Sequence, residues 1–581
     1  MITNRPVPQR RPGLHLLACA VAALTCSTSA VRAQGDTAAM PVQQAVTSPA
    51  TGYMPHARLV QELNRLSQAH SGLVAMSEIA RSPGGLPVHA VRIAAGQGAE
   101  NRSALLIVAN AWGPHVIGSQ IAIGAIRHLA ESYGEDPAVT QLLDRHTVYV
   151  IARVNPDAAE ALFAGILAER IRNDEAVDDD RDQAVDEDGP DDLNGDQMIT
   201  MMRVADRAGD WMSDSTEPDL VRRANRLAGE QGVYRLYEEG IDDDDDGSWN
   251  EDPIGGVDVN ANFSYQYEFF GPASGIHQMS SPEARGVAQF FVDQPNIAAV
   301  YVLGPQDNLM SPWRHSSGTG IGGNPQGTSQ GGPLRSILQA DQDYFEEISD
   351  RFKSVTGFTG SAPSKPVGGD VLSFAYYHMG RWAFGSRGWW VPSEPDDDDP
   401  GEQDRQVLQW VKQNVPGGFV NWAAVQHPDF PGETVEVGGL RPFVTINPPA
   451  SLIDSVVGAH REFIVELGNS LPNISLGQSE VEALGERVYR ITARVHNDGY
   501  LPSVSALGAR VRWPRRVRLE LRLSDGQTVT AGRAVELIGP IEGSGGSIER
   551  SWVVVGAPGS SVTLSASSPV AGAASRQITL R

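Results

Sequence analysis

The stretch Leu105 to Gln120, LLIVANAWGPHVIGSQ, constrains this chain more than any other. Its apolar run Leu105 to Val108 has no helical period. It breaks at a Trp-Gly-Pro-His loop and resumes as an Ala-, Ile- and Leu-rich helix over Ile117 to Tyr133. A buried strand, a loop and a helix in that order predict an α/β fold. In open sheets of this kind the loops past the carboxyl ends of the strands hold the ligand, so Trp112 to His115 are predicted to face a crevice.

Strands and helices go on alternating around this unit. Residues 57–67 read as an amphipathic helix and 86–94 and 147–154 as strands, the last running into an Asn155-Pro156-Asp157 turn. Ser281 and Pro282 open a helix as its cap and first residue, and Ile297 to Leu303 is a further apolar strand. Helices are predicted over 334–356, 403–413 and 452–471. A glycine-rich surface loop (316–332) precedes the first of these, and an acidic solvated turn (396–399) precedes the second. The glycine-rich stretch is not a phosphate loop, since no strand leads straight into it and no Lys-Ser or Lys-Thr follows. From 473 onward the period changes to strict alternation, as in Val488 to Val495 and Val517 to Leu523, which predicts a small antiparallel β-sandwich.

The first 33 residues carry Arg5, Arg10 and Arg11, an apolar run from Leu14 to Cys26 and a small-residue exit at Val31-Arg32-Ala33. This is the make-up of a secretory signal peptide, too short to span a bilayer. The expected order is signal peptide 1–33, linker 34–51, an α/β domain 52–472 with an acidic insertion at 174–252, and the sandwich 473–581. Both cysteines, Cys19 and Cys26, lie in the signal, so the exported chain would have no thiol and no disulfide. Losing four arginines and no acid moves the formal charge from −25 to −29, which disfavours nucleic acid and anionic membrane surfaces as partners. No later run is long enough to cross a membrane, no period of 20–50 residues repeats, and the expected location is periplasmic or extracellular.

Within the acidic insertion, three runs place oxygen ligands on alternate residues: Asp178, Asp180 and Asp182; Asp192, Asn194 and Asp196; and Asp242, Asp244 and Asp246. Such spacing lets a short loop curl round a hard cation such as calcium. The third run fits best, because Gly247 follows it and Asn250, Glu251 and Asp252 add oxygens, whereas Gln183 and Gln197 stand at the glycine place in the others. The alternative is a solvated acidic linker held open by self-repulsion.

Taken together, these ordered segments resemble the zinc carboxypeptidases of the carboxypeptidase A type. The resemblance implies a carboxypeptidase-like mixed sheet flanked by helices, with the sandwich as a C-terminal module. It also implies a zinc ion held by three ligands, a glutamate base and an arginine clamp on the substrate carboxylate. On this chain the zinc positions fall on Trp112, His115 and Gly304, and the base position on Arg387. The clamp position falls on Ala261, beside a retained Asn260. None of these keeps the family's chemistry: glycine offers no ligand, a methyl group cannot grip a carboxylate, and a guanidinium cannot accept a proton. The resemblance further makes Arg203 a survivor of the residue that polarises the scissile carbonyl. It places Phe374 to Trp389 on the family's last strand, with Tyr376 or Tyr377 on the substrate side.

The expected function is therefore a non-catalytic, exported relative that binds a peptide or a cell-envelope ligand, with calcium in its acidic loops and no zinc. The alternatives are an active metallocarboxypeptidase with a relocated site, built from histidines such as His115, His277, His315 or His378, and a different hydrolase in the same crevice. For the last there is neither a nucleophile elbow nor a paired-carboxylate motif. In the vacated site Arg387 is expected to stack on Trp112, leaving a fixed positive charge that holds an anionic group together with Arg203 and Asn260. The competing arrangement packs Trp112 in the core and turns Arg387 to solvent.

Overall fold

The computed structural model describes residues 48–581 apart from 180–182, 317–333, 361, 365–367, 395–398 and 400. The expected signal peptide, most of the linker, Asp180, Asp182, nearly all of the glycine-rich stretch and three of the four residues of the acidic turn at 396–399 lie outside the described residues. Six strands among the described residues form a mixed sheet in the order Val74–Arg81, Pro87–Ile93, Thr147–Ile151, Ala104–Ala109, Ile297–Leu303, Trp382–Ser386. The first three neighbours pair antiparallel and the last four strands are parallel. All residues of the three strands Ala104–Ala109, Thr147–Ile151 and Ile297–Leu303 are buried, which is why they read as continuous apolar runs without alternation. The helix Val116–Ser132 packs against these strands and against the helix Ala450–Asn469, closely enough that a side chain on Gly124 would strike Val457.

A second sheet is absent from the expectations above. Its strands run in the order Phe419–Val425, Val435–Leu440, Met201–Ala205, Tyr234–Glu238, Trp211–Ser213, Val221–Arg223, and every pairing in it is antiparallel. Four strands come from the acidic insertion and two from a segment about two hundred residues later in the chain. A small core of Met202, Val204, Phe430, Val435 and Val437 holds them together. None of the six has a long apolar run, so neither half signals a strand until the other covers it.

Residues 474–579 form two antiparallel sheets, one of five strands and one of four, face to face over Ile491, Val495, Leu519, Leu521, Trp552, Val554 and Leu564. The strand Val488–Asn497 buries every second residue, as its alternation predicts. The α/β sheet with flanking helices and the C-terminal antiparallel sandwich are both present. One expectation about an element is corrected: Phe374–His378 is a helical turn, and the strand begins only at Trp382. Gly380 at φ 63° separates the two, and a Cβ there would meet the backbone of Gly508.

Candidate functional site

The loop after Ala104–Ala109 is shaped by side chains from three places. Asn110 takes a left-handed φ of 57°, and its Nδ2 donates to the carbonyls of Trp112 (3.2 Å) and Gly113 (2.8 Å). Asn447, far along the chain, accepts from the Ile117 backbone N–H (2.9 Å) and donates to the Pro114 carbonyl (2.8 Å). Gly113 is required by close approach, since a Cβ would run into Ala158 and the Arg170 carbonyl.

His115 is fully buried and turned inward. Its Nε2–H donates to the Arg387 carbonyl (2.5 Å), and its Nδ1 lies over Gly118. Burial pushes its pKa down to about 4, so the ring is neutral at physiological pH. At the end of Ile297–Leu303, a Cβ built on Gly304 would meet only Val302 and the Gln306 Oε1, at 3.8 and 3.9 Å. Gly304 itself offers no side-chain ligand atom. Among the described residues, the only set of three or more carboxylate, histidine or cysteine ligands close enough for a metal is Asp242, Asp244 and Asp246, in the acidic insertion. Zinc therefore does not fit the residues at Trp112, His115 and Gly304, and no catalytic step can be drawn through it.

Arg387 follows the strand Trp382–Ser386. Its Cζ lies 5.9 Å from the centroid of the Trp112 ring, within cation–π range, and its Nη1 donates to the Pro363 carbonyl (3.1 Å). Only 8% of the residue is exposed, and burial holds its guanidinium below the usual range, with Glu169 and Asp307 opposing that shift. Asp307 is buried and accepts backbone N–H groups from Met310 (2.7 Å), Leu309 (3.1 Å) and Arg387 (3.3 Å), yet burial still pushes it up to about 6. Asn260 donates to Gln306 Oε1 (3.1 Å), which joins the Asn260–Ala261 turn to the strand end at Gly304. Trp112, His115, Gly304, Gln306, Asp307, Arg387, Asn260 and Ala261 thus belong to one connected region at the carboxyl ends of the parallel strands. Gln306 and Asp307 had no role in the sequence reading. Their signal was their place directly after a buried parallel strand.

Asp258 caps that turn by accepting from the Asn260 N–H (2.9 Å), and burial raises it to about 7. A raised carboxyl means that the folded state holds a proton the unfolded chain gives up near pH 4. The stabilisation is complete below that pH and is lost as pH rises through about 7. Asp258→Asn, which keeps an accepting oxygen, should therefore gain about 2–3 kcal/mol relative to the parent between pH 5 and pH 8. Guanidinium denaturation at the two pH values checks this, and an unchanged difference between the proteins would contradict it.

Three expected site residues lie elsewhere. Arg203 is on the second sheet. It pairs with Glu436 (2.9 Å) and is flanked by the rings of Trp422 and Tyr234 at 4.4 and 4.9 Å, and neither Asn260 nor Arg387 is among these partners. Tyr376 is completely buried, donating to Asp341 (2.8 Å), and faces no substrate. Tyr377 stacks on Tyr265 with centroids 4.1 Å apart. In each case packing against residues distant in sequence decided the direction of the side chain.

In the acidic insertion, Asp242 and Asp244 accept from the Asp246 N–H, and Asp242 accepts from Gly247 N–H (2.9 Å). The run Asp192, Asn194, Asp196 curls identically, with Asp192 accepting from Gln197 N–H (2.8 Å). Gln197 takes φ 66° where Gly247 has 92°, so the missing glycine did not prevent the turn. In the first run, Asp178 accepts from the Gln183 N–H (3.1 Å). Asn250 and Asp252 also make hydrogen bonds to the segment that holds the first run. Asp252 accepts from the N–H groups of Asp179 (3.4 Å) and Asp186 (3.1 Å), and Asn250 donates its N–H to Asp188 (2.8 Å).

A mixed α/β sheet flanked by helices, carrying an appended β-sandwich, defines the class. The family model for zinc carboxypeptidases matches residues 59–194, and one for a domain of unknown function (DUF8731) matches 473–579. The similarity to the zinc carboxypeptidase family is thus confined, by the family model, to residues 59–194. A zinc carboxypeptidase of Saccharothrix mutabilis subsp. capreolus is 25% identical over 111 residues, which is 19% of this chain and 26% of that protein, so only about a quarter of the relative is spanned. Among solved structures, thrombin activatable fibrinolysis inhibitor is 11% identical at a TM-score of 0.40, covering 74% of this chain and 79% of its own. A metallo-carboxypeptidase from Burkholderia cenocepacia is 10% identical at 0.31, covering 71% and 68%.

Proposed function

We propose that this protein is an exported, non-catalytic member of the zinc carboxypeptidase family that binds an anionic group, such as the carboxylate end of a peptide or of a cell-envelope ligand. The observation that carries this reading is Arg387 placed over Trp112 while His115 turns both ring nitrogens into the core. Peptide hydrolysis by this family needs a metal-bound water and a carboxylate base. Here the base position supplies a permanent cation, which attracts a carboxylate and cannot take a proton. Asn260 and Gln306 add an amide pair beside it. Export rests on the signal-like first 33 residues. Among the described residues no helix is long and apolar enough to cross a membrane.

Metal analysis of the purified protein together with a C-terminal hydrolysis assay tests this reading. Less than a tenth of an equivalent of zinc and no release of C-terminal residues are expected. Stoichiometric zinc with chelator-sensitive release would replace the reading with the relocated-site alternative.

The acidic insertion is proposed to bind calcium through Asp242, Asp244 and Asp246, whose oxygens lie within 4.8 Å of one another. Three carboxylates on alternate residues closed by a left-handed glycine suit a hard cation with oxygen ligands.

A further inference from the structure

Residues 510–518 read RVRWPRRVR, five arginines in nine positions of a chain whose formal charge is −25. The net charge says little about such a patch, because charges more than about 10 Å away are largely screened at moderate salt. The fold sets four of the five around one hollow. The helix Ala506–Val511 ends at Arg512 in a left-handed conformation (φ 60°), and the chain turns through the buried Pro514 into the strand Val517–Arg522. Val517 and Leu519 of that strand are buried, while Arg516, just before it, and Arg518 are exposed, as alternation requires. Arg516 Nε donates to the Ile538 carbonyl (3.3 Å) on the edge strand Val535–Ile538, and Arg518 stands opposite Leu537 and Ser567. The cavity has a volume of about 970 Å³, a size that suits a small ligand. Arg512, Arg515, Arg516 and Arg518 line it, and no acidic residue does among the described residues.

The protein does not neutralise this set. Arg512, Arg515 and Arg516 have no carboxylate in ion-pair range among the described residues. The acids on the two strands that meet here are engaged. Glu520 takes both Arg518 and Arg522, and Glu536, which senses the charge of Arg516, is gripped by two nitrogens of Arg550 (2.9 and 3.1 Å). Guanidiniums gathered round one hollow repel each other, and a single carboxylate is saturated by one of them. A phosphate group offers several charged oxygens to several planar forks at once. Leu537 at the cavity wall and Trp513 in the same arginine run are 54% and 49% exposed. Such side chains suit the headgroup level of a bilayer when the phosphate is carried on a lipid.

We infer that the C-terminal sandwich has an anion site of its own, in which Arg512, Arg515, Arg516 and Arg518 hold a multiply charged phosphate group, free or at the head of a lipid. The site stands apart from Arg387 and does not depend on the reading of the crevice given above.

Calorimetric titration of the full exported chain with inorganic pyrophosphate, and flotation with vesicles of phosphatidylglycerol or of phosphatidylcholine, test the inference. Binding of pyrophosphate, or flotation with the anionic vesicles alone, is expected, and which of them occurs tells a free phosphate from a lipid headgroup. Arg512→Gln/Arg515→Gln is expected to weaken that binding by at least about tenfold. Arg490→Gln/Arg494→Gln removes the same charge from another strand of the sandwich, where both arginines face glutamates, and is expected to leave it nearly unchanged. Equal weakening in the two double variants would reduce the effect to net charge and overturn the site. Loss of binding in Arg387→Met, with Arg512→Gln/Arg515→Gln unaffected, would place the anion in the crevice and also overturn it. So would flotation with both kinds of vesicle alike, or binding of neither probe. Binding of single-stranded DNA in place of both probes would make the arginines a nucleic-acid surface and overturn it as well.

Discussion

Asp341→Ala is expected to lower the unfolding free energy by about 3–5 kcal/mol, since it strands several buried donors at once. Asp341 is 1% exposed and accepts from the N–H groups of Ala506 (2.7 Å) and Leu507 (3.2 Å) and from the Tyr376 hydroxyl (2.8 Å). The two N–H groups open the short helix Ala506–Val511, where no intrahelical acceptor exists for them. One carboxylate on the helix Gln339–Thr356 thereby ties the α/β part to the C-terminal sandwich. Alanine leaves all three donors unpaired, and asparagine keeps one accepting oxygen, so Asp341→Asn should fall between. Urea denaturation of the three proteins measures the effect. A midpoint for Asp341→Ala equal to that of the parent would show that water replaces the carboxylate without cost.

The second large effect is expected on binding. If the crevice takes a carboxylate, a short peptide with a free C-terminus should bind at least thirtyfold more tightly than its amide, and Arg387→Met should remove that preference. Loss of one partner from a desolvated, hydrogen-bonded charge pair costs about 2–5 kcal/mol, which sets this scale. Methionine retains most of the aliphatic volume against Trp112, so the comparison isolates the charge. Calorimetry with the acid and the amide separates this from a packing defect, because a packing defect would weaken both alike. Equal binding of the acid and amide to the parent protein would show that Arg387 is structural, held by the Pro363 carbonyl and the Trp112 ring.

Much of the first sheet was legible because its signals are local. The predicted strand Ile297 to Leu303 has the observed bounds, and the predicted helix over Ile117 to Tyr133 differs from Val116–Ser132 by one residue at each end. Apolar runs of this length, buried on both faces, admit few other structures. The Ser281 cap is present too, accepting from the Ala284 N–H. The second sheet was not legible, because its six strands are short and half-buried and pair across some two hundred residues. The helical turn at Phe374–His378 was read as strand because five residues rich in aromatics suit both, until Tyr376 found Asp341.

The same division runs through the site. Residue identity alone determined the chemistry available at Trp112, Gly304, Ala261 and Arg387, none of which offers a carboxylate or an imidazole in any fold, since donor chemistry belongs to the side chain. It also determined the acidic spacing at 178–182, 192–196 and 242–246. Only the tertiary structure decided direction. It turned His115 onto the Arg387 carbonyl, carried Arg203 away to Glu436 on another sheet, and set Asp188 against Glu251 from the opposite arm of the insertion. Those outcomes depend on which distant segments pack together, and packing is settled by burial over the whole chain, which no local pattern encodes.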